Sequence, residues 1–360
     1  ETEVDLKTFA HATDLLVMGP DCGTAIINGV PLSFANVVNR GEIGIVAASG
    51  TGLQETSSII SNEGAGISQA IGTGGRDVRQ EVGGITFIDG LRALAGDDAT
   101  RVIVLVSKPP DKAVLDRINE VAEDIDKPVV RAFLGAAPVG PGDARTLEEA
   151  ALKAVALWRE KDPREVNVTL ESRDAAIWDR TEVLARRCTD DQKYVRALMS
   201  GGTFAAEAQV LFADVMSEIA SNVPTAGAHR LTDPLMTAKN TVIDFGADEF
   251  TVGRPHPMID YSIRKQRIAD EADDLETAVI LLDVVLGYGS HPDPSAELAD
   301  VIADASDKVI VICSVTGTDQ DPQNRSVVLK ELTDAGAVVT RTNAAACKEA
   351  GYVVKWLAAR

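Results

Sequence analysis

The chain has 360 residues, 35 Lys and Arg against 55 Asp and Glu, and a formal net charge of −20. So acidic a balance argues against nucleic acid and anionic membrane as partners, because both are held by basic surfaces. Apolar residues at 45% and charged residues at 25% are the composition of a folded core; aromatics at 4% leave Ala, Val, Leu and Ile to build it.

The four cysteines, Cys22, Cys188, Cys313 and Cys347, are far apart and form no CxxC, so neither a zinc knuckle nor a disulfide framework is indicated. No apolar run approaches the roughly 18 residues of a membrane span, and even 278–286 is interrupted by Asp283. A secretory leader pattern is also missing. These features read as a cytoplasmic α/β protein of a reducing compartment.

In chain order, residues 5–12 read as a polar helical stretch, 15–18 as a short buried strand, and Gly19-Pro20-Asp21-Cys22-Gly23 as a turn. A strand and half a helix cannot bury a core alone, so residues 1–35 are set apart as the end of a preceding domain. Regular alternation follows over 38–136. Strands are expected at 43–48, 66–71, 102–107 and 129–134, with helices from the Gly-rich turn through residue 60, over 87–94, and after Pro109-Pro110. In that last helix Val114, Ile118, Val121 and Ile125 mark one apolar face. Residues 137–192 are expected to be a helical linker, with helices at 147–158 and within 161–191.

The stretch 193–360 repeats the order of the first unit. Strands are expected at 195–199, 241–245, 279–286, 309–313 and around 338–339, with helices from the turn to about 219, then at 296–305, 326–335 and 344–356. The expected fold class is α/β, with two flavodoxin-like doubly wound parallel sheets.

Such folds bind ligands where Gly-rich turns leave the carboxyl ends of strands. The matching turns are Ser49-Gly50-Thr51-Gly52 and Ser200-Gly201-Gly202-Thr203, each delivering the chain to a helix start whose free N–H groups and dipole favour phosphate. Ordinary strand-to-helix turns would read the same way. Glu55 and Glu207 are placed to reach back to these turns. Gly74, Gly75 and Lys108 lie at other strand ends of the first unit, as substrate contacts; Arg76 is a catalytic candidate that could hold a substrate carboxylate, and with Asp77 also reads as an ion pair capping a helix. Thr316-Gly317-Thr318-Asp319 is a weaker phosphate loop.

Of four histidines, His256 in Gly253-Arg254-Pro255-His256-Pro257 is the catalytic candidate: prolines stiffen its loop, and Arg254 offers a planar fork to carboxylate or phosphate. A loop histidine that bonds the backbone fits the same pattern. His291 follows a strand end and is a candidate substrate contact or a helix-entry turn. His11 and His229 read as a surface and a structural residue. Asp244, Asp248, Glu249 and Asp260 read as a solvated acidic loop rather than a Mg²⁺ site, so no metal is expected. Cys22 reads as an inert turn cysteine.

Gly19-Pro20-Asp21-Cys22-Gly23, residues 44–55 (GIVAASGTGLQE) and 72–77 (GTGGRD) resemble the α subunit of succinyl-CoA synthetase and the ADP-forming acyl-CoA synthetases. Residues 244–260 (DFGADEFTVGRPHPMID) and 283–294 (DVVLGYGSHPDP) resemble a narrower group, the FdrA-type proteins. The resemblance spans nearly the whole chain. It implies that 1–35 is the tail of a Rossmann-like CoA-binding domain, through which CoA or a nucleotide would bind, and that 38–136 and 193–360 are ligase-type domains. In the synthetases a phosphohistidine follows the fourth strand, its phosphate gripped between two helix N-termini. The corresponding helix starts are Ser49-Gly50-Thr51 and Gly201-Gly202-Thr203, whereas the loop 135–142 holds no histidine. The narrower resemblance implies a subunit of oxamate carbamoyltransferase in allantoin breakdown. Such a subunit would handle phosphate, carbamoyl phosphate or an acyl phosphate, and would assemble with further subunits into an oligomer. An ADP-forming acid–CoA ligase and a non-catalytic assembly subunit are the alternatives, with His256 or His291 standing in for the phosphohistidine in the ligase.

Overall fold

In the computed structural model, which describes residues 1–138, 140–225 and 227–360, the apolar runs become two sheets dominated by parallel pairing. They belong to separate units, Glu1–Val168 and Thr169–Arg360. The chain has the α/β architecture expected from its sequence.

The first unit runs through α1 (Thr2–Ala12), β1 (Thr24–Ile27), β2 (Val30–Ser33), β3 (Arg40–Ala47), α2 (Gly50–Asn62), β4 (Ile67–Gly72), α3 (Ile85–Gly96), β5 (Val102–Ser107), α4 (Lys112–Glu123), β6 (Val129–Phe133) and α5 (Leu147–Trp158). Its sheet has the order β2-β1-β4-β3-β5-β6. Ile43, Ile45 and Val46 of β3 have no exposed surface, because helices cover both faces; that is why the strand reads as a continuous apolar run. In α4, Val114, Ile118 and Ala122 face the core and Val121 is half-buried at its rim, as is Ile125 just beyond the helix end.

Two differences from the sequence reading lie before β3. Residues 15–18 form no strand: Leu15, Leu16 and Met18 are exposed, and the sheet position is taken by the hairpin β1–β2. Asn28 and Gly29, at φ 52° and 80°, turn that hairpin, and both signs match the turn that the strand twist prefers. The hairpin extends the first sheet through Ile26 opposite Ala70, so residues set apart in the sequence share a unit with β3–β6.

After α6 (Glu165–Ala185) the second unit runs through β7 (Tyr194–Met199), α7 (Gly202–Ala213), β8 (Ile219–Ser221), β9 (His229–Arg230), β10 (Asn240–Asp244), α8 (Asp248–Thr251), α9 (Ser262–Asp273), β11 (Thr277–Val285), α10 (Pro294–Ser306), β12 (Ile310–Thr316), α11 (Arg325–Asp334), β13 (Val338–Thr340) and α12 (Asn343–Ala358). All neighbours in the order β13-β12-β11-β7-β10-β8-β9 are parallel. The helix after β7 stops at Ala213 instead of reaching 219, where Ile219 opens β8. Helix α9 is new. Its buried face carries Arg264, Ile268, Glu271 and Ala272, so half of its core-facing positions are charged and the apolar stripe is erased. Glu271 is there for Arg196 of β7, whose fully buried guanidinium donates from Nε to Glu271 at 3.0 Å.

Both sheets share one device. Beside β3, β4 and β5 leave to opposite sides; beside β7, β10 and β11 do the same. A crevice opens outside the carboxyl ends of the strands at such a reversal. Among the described residues, no helix is long and apolar enough to cross a membrane.

Candidate functional sites at the strand reversals

In the first unit, Ser49 caps α2: its Oγ accepts the Gly52 N–H at 2.9 Å. Thr51 is half-buried beside it. The glycines of the turn answer to packing. A Cβ at Gly50 would meet Thr24 Oγ1 at 3.0 Å, and one at Gly52 would meet Val106 at 2.9 Å. The next strand end is tighter still. Gly74 has φ +87°, and a Cβ there would lie 1.9 Å from Asp21 Oδ1; Gly75 has more room, with Ala48 O at 3.6 Å. The turn Gly19–Gly23 thus lies directly on the Gly-rich loop. Cys22 is buried within it, its thiol pushed up by burial, which makes it a poor nucleophile.

Arg76 is exposed and already engaged: Nε donates to Glu3 Oε2 at 2.8 Å and Nη1 lies 3.6 Å from Asp21 Oδ2. Lys108, half-buried at the end of β5, makes no ion pair among the described residues, and it is the cation this strand edge leaves over. Sequence reading missed Lys7. Its buried ammonium donates to Thr73 O at 2.9 Å and Asp77 Oδ1 at 2.8 Å. Asp77 in turn accepts the Phe87 and Thr86 N–H groups at the start of α3, so it does cap a helix, but its ion partner is Lys7 and not Arg76. Burial raises the Asp77 carboxyl, and Lys7 and the two N–H groups oppose that.

The second unit builds its turn differently. Gly201 is the N-cap of α7 and supplies no side-chain hydrogen bond to the helix start, unlike Ser49. Ser200 is instead fixed from below. Its N–H donates to Asp283 Oδ1 at 2.6 Å and its Oγ–H to Asp283 Oδ2. Asp283 sits in β11 with no exposed surface, and Arg264 of α9, equally buried, donates through Nη2 to Asp283 O at 2.8 Å and Leu198 O at 2.9 Å. The same Nη2 is 3.5 Å from Asp283 Oδ1, while Arg264 Nε and Nη1 have no hydrogen-bond partner among the described residues. Two flanking groups feel this burial: the Cys313 thiol is pushed up to about 12, and the Tyr261 hydroxyl is raised as well.

His256 belongs to this edge. A Cβ at Gly246 would meet Ser200 O at 2.9 Å, Asp244 Oδ1 at 3.1 Å and His256 Nε2 at 3.1 Å, so a glycine lets these groups converge after β10. His256 Nδ1 accepts the Met258 N–H at 3.3 Å, which leaves the proton of the neutral ring on Nε2. Burial holds the ring below its ordinary value and favours that neutral form. His291 joins the same loop: its N–H donates to Met258 O at 2.8 Å, its Nδ1 accepts the Asp293 N–H at 3.1 Å, and its ring meets Tyr261 edge-on at 5.9 Å. Arg254 is exposed, on the rim of a cavity of about 280 Å³ between α8 and the start of α9.

Other candidates are accounted for by local bonding. Asp321 Oδ2 takes the Thr318 N–H at 2.8 Å, so a carboxylate fills the loop 316–319, and Asp319 caps α11 through Ser326. Glu207 is fully buried on α7 and accepts from Asn343 Nδ2 at 2.7 Å. Asp244 accepts the Gly246 N–H, Glu249 is held by Asn222, and Asp260 by Ser262. No metal-holding group of three acids, histidines or cysteines occurs among the described residues. His11 pairs with Asp89 at the surface and His229 is exposed on β9.

A family model described as CoA-ligase matches residues 198–353, and one described as CoA binding domain matches 38–135. Each therefore contains one of the two strand reversals. The uncharacterized protein YahF of Escherichia coli (strain K12) is 42% identical over 355 residues, covering 95% of this chain and 68% of YahF. The chain belongs to the same family as YahF. Within that family it carries the acyl-CoA synthetase or succinyl-CoA ligase type of domain. The alpha subunit of succinate–CoA ligase (ADP-forming) of Staphylococcus epidermidis is 28% identical over 142 residues, 39% of this chain and 45% of that subunit. The match thus spans less than half the length of that relative. Among solved structures, acetyl-coenzyme A synthetase 1 of Ca. Korarchaeum cryptofilum, in complex with phosphate and ADP, aligns over 99% of this chain and 74% of its own at 16% identity and TM-score 0.33.

Proposed function

We propose that this chain is the acyl-CoA-synthetase-like subunit of an oxamate carbamoyltransferase. It would seat phosphate, or the phosphate end of carbamoyl phosphate, at the start of α7. The observation that supports this most is the build of that turn: Gly201 leaves the helix start without a side-chain cap, and Asp283 secures Ser200 from beneath. Backbone N–H groups and the helix dipole then serve an incoming anion, which a chain of charge −20 could not attract by its overall field. As a phosphate oxygen bonds to the carbamoyl carbon, negative charge grows on the carbamoyl oxygen. Fixed N–H donors are the groups that stabilise it. His256, neutral with its proton on Nε2, adds a polarising donor at this edge, and the proton of the attacking hydrogen phosphate passes to the leaving amide nitrogen as its bond to the carbamoyl carbon breaks. In the first unit, Ser49–Gly52 with Lys108 is the corresponding anion seat, and Gly74 and Gly75 shape its edge.

The test is phosphorolysis. The full-length protein and its partner subunits are incubated with oxalurate and phosphate, and carbamoyl phosphate is measured. Gly202→Val should abolish turnover in folded protein; full turnover in that variant would move the phosphate seat elsewhere. A second reading, an ADP-forming acid–CoA ligase, is favoured by the CoA-ligase match and the succinate–CoA ligase relative. It requires acid-labile phosphate on His256 or His291 after incubation with ATP, CoA and succinate. Neither label nor thioester would end it.

A further inference from the structure

The cavity of about 280 Å³ between α8 and α9 combines three kinds of lining. Its floor is apolar: Phe245 and Phe250 are buried, with ring centroids 4.8 Å apart, and Pro255 and Pro257 form a wall. Arg254 contributes the one guanidinium, and it makes no side-chain hydrogen bond or ion pair among the described residues. Asp260 contributes a carboxylate. Its Oδ1 accepts the Ser262 N–H at 2.8 Å and the Ser262 hydroxyl, bonds that lower its pKa from the ordinary value. Its Oδ2 takes part in neither bond.

A cavity with a cation and an anion over an apolar floor discriminates in a particular way. Arg254 selects a carboxylate through two parallel N–H bonds. A simple dicarboxylate would then bring its second charge toward Asp260 and be repelled. An amide would instead present N–H groups to the acceptor, with its carbon skeleton over the apolar floor. Position supports a role beside the turn: Phe245 directly follows β10, and its N–H donates to Met199 O, the residue before Ser200. His256 lies between the two lining prolines.

We propose that this cavity binds a small acid that carries an amide, with the carboxylate on Arg254 and the amide N–H on Asp260. This deepens the carbamoyl-transfer reading, on which the use of the site in turnover rests; its lining would favour such an acid in either case.

Calorimetric titration of the full-length protein with oxamate, acetate, acetamide and inorganic phosphate tests it. Oxamate should bind at least tenfold tighter than acetate or acetamide. Arg254→Gln should weaken oxamate at least tenfold, a charged hydrogen bond being lost. Asp260→Asn, which keeps an acceptor for Ser262, should weaken oxamate and leave acetate unchanged. Equal binding of oxamate and acetate, no binding of oxamate, or indifference of oxamate to either variant overturns the proposal. Phosphate separates it from the larger reading. Phosphate bound without oxamate sinks this site and leaves the α7 seat. Oxamate bound without phosphate does the reverse.

Discussion

Asp283→Asn is the substitution that asks most of the structure. Asp283 has no exposed surface, it accepts the Ser200 N–H at 2.6 Å, and it faces an Arg264 that donates, among the described residues, only through Nη2. Asparagine keeps an acceptor for the Ser200 N–H, so the backbone bond survives while the charge goes and the Ser200 hydroxyl must turn to accept from the amide. What remains is a buried guanidinium with its counter-ion gone, a situation that costs about 3–5 kcal/mol. Against a total stability of about 5–15 kcal/mol, that is a large fraction. Asp283→Ala should cost more, because the Ser200 N–H is also orphaned, at about 1–3 kcal/mol. Urea denaturation would report it through Trp178 and Trp356, which stack 4.7 Å apart in this unit, once Trp158→Phe has silenced the other unit. A cycle with Arg264→Met isolates the pair. Asp283→Asn in the Arg264→Met background should cost far less than in the parent. A loss below about 1 kcal/mol, or a coupling within about 0.5 kcal/mol of zero, would refute a buried charge pair beneath Ser200.

Three further outcomes are expected. Gly74→Ala and Gly64→Ala share nearly the same strained φ, +87° and +81°, but a Cβ at Gly64 meets nothing within 4 Å while one at Gly74 meets Asp21 Oδ1 at 1.9 Å. Gly64→Ala should therefore cost about 1–2 kcal/mol and Gly74→Ala distinctly more, as read by urea midpoints; equal losses would mean that Asp21 yields freely. Lys7→Met strands the buried carboxylate of Asp77, so α1 should become the first site of proteolytic cleavage and α3 should lose amide protection; an unchanged cleavage pattern would show that Lys7 does not hold the helix. For His256 the folded ring has a lowered pKa, while the unfolded value is near 6.5. The unfolded chain therefore takes up a proton that the folded ring resists, and stability falls as pH drops through about 6.5. His256→Gln should flatten the stability difference between pH 7.5 and 5.5, and a slope equal to that of the parent would contradict the assignment.

How much of this could be read from the sequence depended on what each residue was buried for. Strands such as β3 and β11 are covered on both faces, and burial for packing writes itself as an apolar run. The turns after β3 and β7 were legible for the same reason, since each run stops where the sheet ends. Burial for charge works the other way. Asp283 stood out in the sequence only as a break in an apolar stretch, yet a lone acid in a strand buried on both faces already demands a cation nearby. That cation could not be found by pattern, because Arg264 and Glu271 occupy the positions by which α9 would have been recognised as amphipathic. Lys7 is hidden by distance: it is 66 residues from Thr73 and 70 from Asp77, and no local spacing links them. The hairpin β1–β2 did carry a signal, Asn28-Gly29, which the apolar stretch 15–18 outweighed. A polar group placed in the core to fix a site removes the periodicity that reveals its helix. The helix that secures Ser200 was therefore the one hidden by its own function.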